Sequence, residues 1–336
     1  MTPASNDRRR EALLAAKLRA LARSRWGDEV DGAEPGPLAG GATLRAGSRV
    51  WVLAEDDPGR SLGGALGWAL TVGAGELHVI AAAEEGLLAR RAGWFRLSPA
   101  VWPVIGTALA AQPAAPAPLP DEPGLDPRAE AFRAVFERAG AEPVVEGGIL
   151  RAEVRGLEVA RVELGEEGPR LAVGVGKHDR EAHRELGSGA GGEERLFEVV
   201  RAVAEFRHEG GVGHPAYHLA GERWLRSVVL RRPELAGAAH LEPAPAPVAR
   251  DDLRQRAPAP AGGLDSEGRA VLVVCSVGVD PDLVPAAVDA WLRDGRRPRL
   301  VLLVPQGDDY PALRRVAADL TFPAEVRVAP SEWRSL

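Results

Sequence analysis

The stretch Pro143–His183 reads PVVEGGILRAEVRGLEVARVELGEEGPRLAVGVGKHDREAH. It is the one part of the chain in which an apolar strand pattern, a cluster of carboxylates and the charged run Lys177–Glu181 occur together. Alternation of apolar and polar residues between glycine-containing breaks predicts strands. The predicted strands cover residues 143–146, 150–155, 157–164 and 171–175.

Helical patterns precede and follow these strands. Residues 126–140 begin with Asp126 as N-cap and Pro127 at the first helical position, and they end at Gly140. Residues 193–209 repeat apolar side chains at helical spacing, and a third helix is predicted from His214 to about Arg231. Together these elements predict a central α+β domain over residues 125–240.

Strands and helices alternate on both sides of this domain. Residues 48–111 contain the strand Arg49–Ala54, a helix and the strand Glu76–Ala82. Residues 266–336 show the order β-α-β-α-β, beginning with Ala270–Ser276. Because short strand-helix-strand connections produce parallel sheets, we predict an α/β protein in which parallel β-α-β units flank the central domain. The second unit echoes the first in pattern without a residue-level repeat.

Proline-rich segments predict the boundaries between these parts. Residues 112–124 and 241–265 are both read as linkers because proline-rich chain buries little apolar surface. Residues 1–47 are expected to form a basic helix, Asn6–Trp26, followed by a loop.

Composition excludes several classes of protein. The 336 residues carry a net charge of −6 and one cysteine, Cys275, so neither a disulfide framework nor a thiolate zinc site is expected. No apolar run approaches the roughly 20 residues of a membrane span, and the N-terminus lacks an apolar signal core. We therefore expect a soluble, cytoplasmic protein without a membrane partner. Oligomeric state is not determined by these features.

The central stretch resembles the core of the PD-(D/E)XK nuclease superfamily, which includes Holliday-junction resolvases. The segment FERAGAEPVVEGG resembles its first helix, glycine turn and strand; GLEVARV resembles the strand with the first metal-binding acid, and RLAVGVGK the strand that ends in its lysine. The resemblance covers residues 127–183 and implies a restriction-endonuclease-like domain, a nucleic-acid partner and Mg²⁺ as the metal. It assigns the acid to Glu158 and the lysine to Lys177.

One position departs from the family pattern. The superfamily places an acid two residues before the lysine, because a hard cation needs two carboxylates to activate water. Here that position is Val175. A metal site would then use Glu153 with Glu158, or an acid such as Glu146 or Asp179 that moves into place.

The run after the last strand supplies the rest of the predicted site. Catalytic roles are assigned to Glu158, Lys177 and Asp179, and binding roles to His178, Arg180 and Glu181. A second interpretation makes His178 and Asp179 a helix N-cap pair, supported by contact from Asp179 to His183.

Three functions fit these observations. The first is a nucleic-acid-associated protein that cleaves with Mg²⁺. The second is a non-catalytic interaction protein that keeps the fold without the site. The third is a small-molecule enzyme or sensor that uses the strand ends Glu55–Arg60 and Cys275–Asp280. The missing acid favours the second over the first.

Overall fold

The computed structural model describes residues 3–166, 168–185, 192–248, 250 and 253–336, with side chains from Asp7 onward and without those of residues 182–185. The chain divides into two compact units. The first comprises residues 1–119, 280–289 and 309–324, and the second comprises residues 120–279, 290–308 and 325–336. The change at residues 119 and 120 falls within the proline-rich segment 112–124.

A six-stranded mixed sheet forms most of the first unit. Its elements, in chain order, are α1 (Pro3–Trp26), β1 (Glu34–Gly36), β2 (Gly41–Ala46), β3 (Arg49–Ala54), α2 (Leu62–Thr71), β4 (Glu76–Ala81), α3 (Glu85–Ala92), β5 (Ala100–Ile105) and β6 (Ala108–Leu109). The strands lie in sequence order. The pairs β3–β4 and β4–β5 are parallel, which confirms the predicted parallel arrangement.

Aromatic residues fix α1 against this sheet. Trp26, at the end of the helix, packs on Trp51, His78 and Trp102, with ring centroids 4.5–5.7 Å apart. Trp102 Nε1 donates a hydrogen bond to His78 Nδ1 at 3.1 Å. Burial lowers the pKa of His78, so the imidazole stays neutral inside the core.

The proline-rich segment begins as part of the first unit. The backbone of Ala114 bonds to Val101, and that of Ala117 bonds to Gly86. Arg90 donates to the carbonyls of Ala117 and Pro118. These bonds hold the segment as far as residue 118.

A four-stranded antiparallel sheet follows in the second unit. The elements in this part of the chain are α4 (Arg133–Arg138), β7 (Glu142–Glu146), β8 (Ile149–Val154), β9 (Leu157–Gly165), β10 (Gly168–Val173), α5 (Gly176–Glu185) and α6 (Gly192–Ala204). The strand order is β10-β9-β8-β7, and all three pairings are antiparallel. One face carries small and branched apolar side chains that pack against α6. A 3₁₀ turn, Pro127–Phe132, occupies the first part of the helix that the sequence predicted over residues 126–140, and α4 forms the remainder as far as Arg138.

The second unit also contains a five-stranded sheet. This region of the chain comprises α7 (Gly221–Arg231), β11 (His240–Pro243), β12 (Ala259–Leu264), β13 (Ala270–Cys275), α8 (Leu283–Asp294), β14 (Arg299–Pro305), α9 (Pro311–Ala318) and β15 (Ala324–Ala329). Residues 283–289 of α8 and all of α9 belong to the first unit. β11 and β12 pair with each other, and β12 pairs with β13, so the two ends of the segment 241–265, which was predicted as a linker, belong to this sheet. β13 and β14 are parallel, as predicted.

The two mixed sheets share one order of elements. Each begins with a helix and a 3₁₀ turn, continues with three antiparallel strands, and then enters a parallel β-α-β crossover. A hydrogen bond recurs as well. Gly59, after β3, donates its N–H to Glu84, and Gly278, after β13, donates its N–H to Asp308. Each acceptor lies three residues after the end of the next strand in its sheet, β4 or β14. The two sheets therefore share this hydrogen bond as well as the order of their elements.

The described residues form a mixed α/β structure with three sheets. Within the described part of the chain, no helix combines the length and apolar character needed to cross a membrane.

Gly156 allows the four-stranded antiparallel sheet, from here on called the central sheet, to pack closely against α7. It lies in the turn between β8 and β9 with φ +76°, and a Cβ at this position would overlap the backbone of Arg223 and Trp224. Only glycine combines a left-handed conformation with such close backbone contact. The central sheet and α7 both belong to the second unit.

We therefore predict that Gly156→Ala destabilises the protein by about 3 kcal/mol or more, because left-handed strain and overpacking each contribute about 1–3 kcal/mol. Gly147→Ala is the matched control. Gly147 also has a left-handed backbone, φ +60°, but has open space around it, so its loss should be about 1 kcal/mol. Urea unfolding of both variants checks this, and equal losses would show that contact with α7 is unimportant.

Candidate functional site

Helix α7 lies between two sheets of the second unit and presents a different face to each. Trp224, Leu225, Val228 and Val229 belong to the apolar core shared with β11, β12 and β13. Arg223 and Arg226, on the opposite side, reach carboxylates on the central sheet. Their side chains are only 2% exposed. The helix is therefore buried on its charged side as well as on its apolar side.

The sheet meets these arginines with a charged face of its own. We call the set Glu146, Arg151, Glu153, Glu158, Arg223 and Arg226 the charge layer. Glu153 lies opposite Glu158 in the β8–β9 pairing, and a register shift between Ala152 and Glu153 precedes it. Such a bulge changes the direction of a strand's side chains. It explains how Glu158 shares a face with Arg161, three residues away, although side chains alternate along a regular strand.

Glu158 is surrounded by guanidinium groups. Its Oε2 accepts a hydrogen bond from Arg151 Nη1 at 2.6 Å, and its Oε1 accepts one from Arg161 Nε at 2.6 Å. Arg180 Nη1 lies 3.2 Å from the same Oε1. Burial by itself raises the pKa of Glu158, but Arg151, Arg161 and Arg180 outweigh it and hold the pKa below its ordinary value.

The other two carboxylates are paired with α7. Glu146 Oε2 accepts from Arg223 Nη2 at 2.6 Å, and Glu153 Oε2 accepts from Arg226 Nη2 at 2.8 Å. The second oxygen of Glu153 lies 3.6 Å from Arg223 Nη1, within ion-pair distance. Burial raises the pKa of Glu146, but the nearby arginines, above all Arg223, lower it to about 2. This carboxylate is therefore ionised at neutral pH.

The predicted run 177–181 lies on a helix rather than at the end of a strand. β10 ends at Val173, and α5 begins at Gly176. Lys177 is 78% exposed, with its ammonium 3.7 Å from Glu181, and His178 is fully exposed beside the same carboxylate.

Two residues of this run point inward. Asp179 accepts a hydrogen bond from the backbone N–H of Val175 at 2.8 Å. Because α5 begins at Gly176, His178 and Asp179 lie inside the helix and are not its N-cap pair, contrary to the second interpretation. Arg180, rather than Lys177, is the cation of this run that reaches Glu158. Lys177, the lysine that the resemblance assigned, pairs with Glu181 instead. The side chain of His183 lies outside the described residues.

The third hypothesis, a small-molecule enzyme or sensor, uses residues at strand ends. Three of them, Glu55, Asp56 and Cys275, are held in ion pairs or buried in the core. Glu55 and Asp56 pair with Lys17 and Arg10 of α1. Cys275 is fully buried, and this burial raises the pKa of its thiol to about 12. A thiol of that pKa is protonated at neutral pH and is a poor nucleophile.

The donor set does not fit a metal ion. Among the residues that the structure describes, no three His, Cys, Asp or Glu side chains form a group that could hold one. Glu153 and Glu158 lie opposite each other on neighbouring strands, as a two-carboxylate site would require, but both oxygens of Glu158 and Oε2 of Glu153 accept hydrogen bonds from or pair with arginines, and Oε1 of Glu153 lies 3.6 Å from Arg223.

Comparison of the chain with protein-family models, curated proteins and solved structures found no match. The site must therefore be interpreted from its own geometry.

Sequence reasoning identified the carboxylates of the charge layer but missed their partners. No role was assigned to Arg151, Arg223 or Arg226. One available signal was that Arg223 and Arg226 are three residues apart, on the side of α7 opposite Trp224, Leu225 and Val228. Such spacing forms a stripe that a second sheet can cover.

We predict that Glu158→Gln lowers the free energy of unfolding by about 3–5 kcal/mol, because it leaves buried guanidinium groups without their anion. The matched control is Glu163→Gln on the same strand, where the carboxylate is one-quarter exposed and pairs with the exposed Arg170. Its loss should stay within about 1 kcal/mol. Denaturant unfolding of both variants measures the difference. A loss for Glu158→Gln no larger than the control's would show that the buried pairs do not hold the sheet in place.

Proposed function

We propose that this chain is a non-catalytic binding protein in which the central domain retains a nuclease-like order of elements without metal-dependent chemistry. The order of elements in the central domain, a helix followed by strands and then further helices, supports the comparison with restriction-endonuclease-like domains. The observation that carries the functional proposal is the pairing of Glu146, Glu153 and Glu158 with buried arginines.

The electrostatics of Glu158 oppose cation binding. Three guanidinium groups lie within 3.2 Å of a single carboxylate, so a divalent ion would meet a net positive surrounding. Mg²⁺ would also have to displace Arg151 or Arg161 to gain an oxygen ligand. Either arginine would then be left partly buried without an anion, which is strongly unfavourable.

The position of Lys177 supports the same proposal. A lysine that orients water or phosphate must lie beside the metal-binding acids. Here the ammonium extends into solvent and contacts Glu181. The charge on Lys177 therefore suits a surface contact better than a catalytic one.

The charge layer also makes a poor nucleic-acid interface. Phosphate contacts require cations that the backbone of a nucleic acid can reach. The side chains of Arg151, Arg223 and Arg226 are only 2–11% exposed. If this protein binds nucleic acid, it does so with other residues. The charge layer is better suited to hold α7 and the central sheet together.

We predict that titration with Mg²⁺ or Mn²⁺ gives no heat beyond dilution, because each of the three carboxylates is already paired with a buried or partly buried arginine. We also expect no cleavage of single-stranded, duplex or branched DNA in the presence of either ion. Isothermal titration calorimetry and gel assays measure these outcomes. Glu158→Gln and Glu163→Gln serve as the variant and its control. Metal-dependent heat or cleavage that Glu158→Gln abolishes and Glu163→Gln preserves would overturn the proposal in favour of a nuclease.

A further inference from the structure

A groove of about 350 Å³ opens beside β8 and β9 in the second unit. Most of its lining is apolar, from Ala129, Ile149, Leu150, Val162 and Leu164. Its volume falls at the small end of the range for small-molecule sites, about 300–1,000 Å³. A ligand of modest size with an apolar body is therefore the kind of occupant it can enclose.

Strand geometry accounts for the groove. Pairing between β8 and β9 runs from Val154↔Leu157 to Arg151↔Arg161. Both strands continue past this point, β8 back to Ile149 beside β7 and β9 onward to Gly165 beside β10. The 3₁₀ turn Pro127–Phe132 contacts β8 and β10 and contributes Ala129 to the lining. The groove thus lies where two neighbouring strands cease to pair.

Three charged side chains complete the lining: Asp126, Arg161 and Glu163. Both carboxylates already have arginine partners, since Asp126 binds Arg128 at 2.8 Å and Glu163 binds Arg170 at 3.0 Å. Arg161 donates its Nε to Glu158. Among the described residues, neither Nη atom of Arg161 donates a hydrogen bond. The groove therefore offers donors to an anion but no uncommitted carboxylate to a cation.

We propose that this groove binds a small amphipathic carboxylate. Its apolar body lies mainly against the accessible side chains of Ile149 and Leu164, beside the buried Leu150 and Val162, and its carboxylate accepts hydrogen bonds from the two Nη atoms of Arg161. A guanidinium group suits this role because its parallel N–H groups match the two oxygens of a carboxylate. The inference rests on the proposed function as a binding protein and names its ligand class.

The charge layer helps to orient this guanidinium. The Nε bond to buried Glu158 fixes the plane of the Arg161 guanidinium group and leaves its far edge for a ligand. A positioned donor loses less side-chain entropy on binding than a mobile one. A neutral ligand of the same shape gains apolar contact alone.

The test is calorimetric titration of the full-length protein with sodium octanoate, 1-octanol and sodium acetate. We expect octanoate to bind at least about tenfold more tightly than octanol, a difference of about 1.4 kcal/mol. Acetate should give no measurable binding at the same concentrations, because it lacks the apolar body. Equal affinities for octanoate and octanol, or no binding of octanoate, would overturn the proposal.

Two variants locate the binding site. Arg161→Met should remove the preference for octanoate over octanol, but it also removes a contact to Glu158. Leu164→Asp leaves that contact intact and introduces a carboxylate at a side chain that is 54% exposed, so it should abolish octanoate binding without unfolding the protein. The control is Leu13→Asp on α1, at a residue that is 62% exposed. Thermal melts monitor folding of each variant.

Two results would place octanoate elsewhere and overturn the proposal: binding that survives Leu164→Asp in a folded protein, or binding that Leu13→Asp also removes. These outcomes are distinct from those of the metal titration. Metal-dependent heat at Glu158 would contradict the proposed function whether or not octanoate binds, and absence of octanoate binding would leave the metal result unchanged.

Discussion

Burial of ionised carboxylates between the central sheet and α7 is the constraint on which the second unit depends. A buried charge is tolerated only when an opposite charge and hydrogen bonds compensate for lost hydration. Glu146 and Glu153 take their partners from α7, whereas Glu158 takes its partners from β8, β9 and α5. The pairs to Arg223 and Arg226 fix the position of the helix, and the absence of a side chain at Gly156 permits its close approach. The opposite face of α7 then completes the core of the five-stranded sheet.

Local sequence patterns predicted most elements but only part of their arrangement. Buried strands such as β3, β4, β13 and β14 are identifiable because apolar runs alternate with helical patterns, and this order implies parallel pairing. The segment 241–265 was misread because its proline and alanine content resembles that of a linker. Its strands are held by pairing with β13, a long-range contact that composition does not encode. The helix predicted over residues 126–140 is shorter in the structure, because residues Pro127–Phe132 form a 3₁₀ turn.

The candidate site shows the same division. Glu158 was assigned from the resemblance of its strand to the one that carries the first metal-binding acid, and Glu153 was named as a candidate for the second. The partners of Glu153 did not follow, because they are Arg223 and Arg226, about 70 residues away along the chain. The register shift between β8 and β9 also determines which way Glu158 points, and no local sequence pattern predicts this shift. A pair of acids near a lysine suggested a metal site, and the surrounding arginines make a structural role the better proposal.

The most direct test of this account is a carbon-13 NMR titration of the glutamate side-chain carboxyls. Arginine pairing predicts that Glu146 titrates near a pKa of about 2 and Glu158 below the ordinary 4.5. Because both folded-state values lie below the unfolded ones, the stability that they contribute is complete above about pH 4.5 and is lost as the pH falls through the folded-state values. Glu146 and Glu158 titrating above 4.5, as burial without a guanidinium partner would produce, would contradict the account.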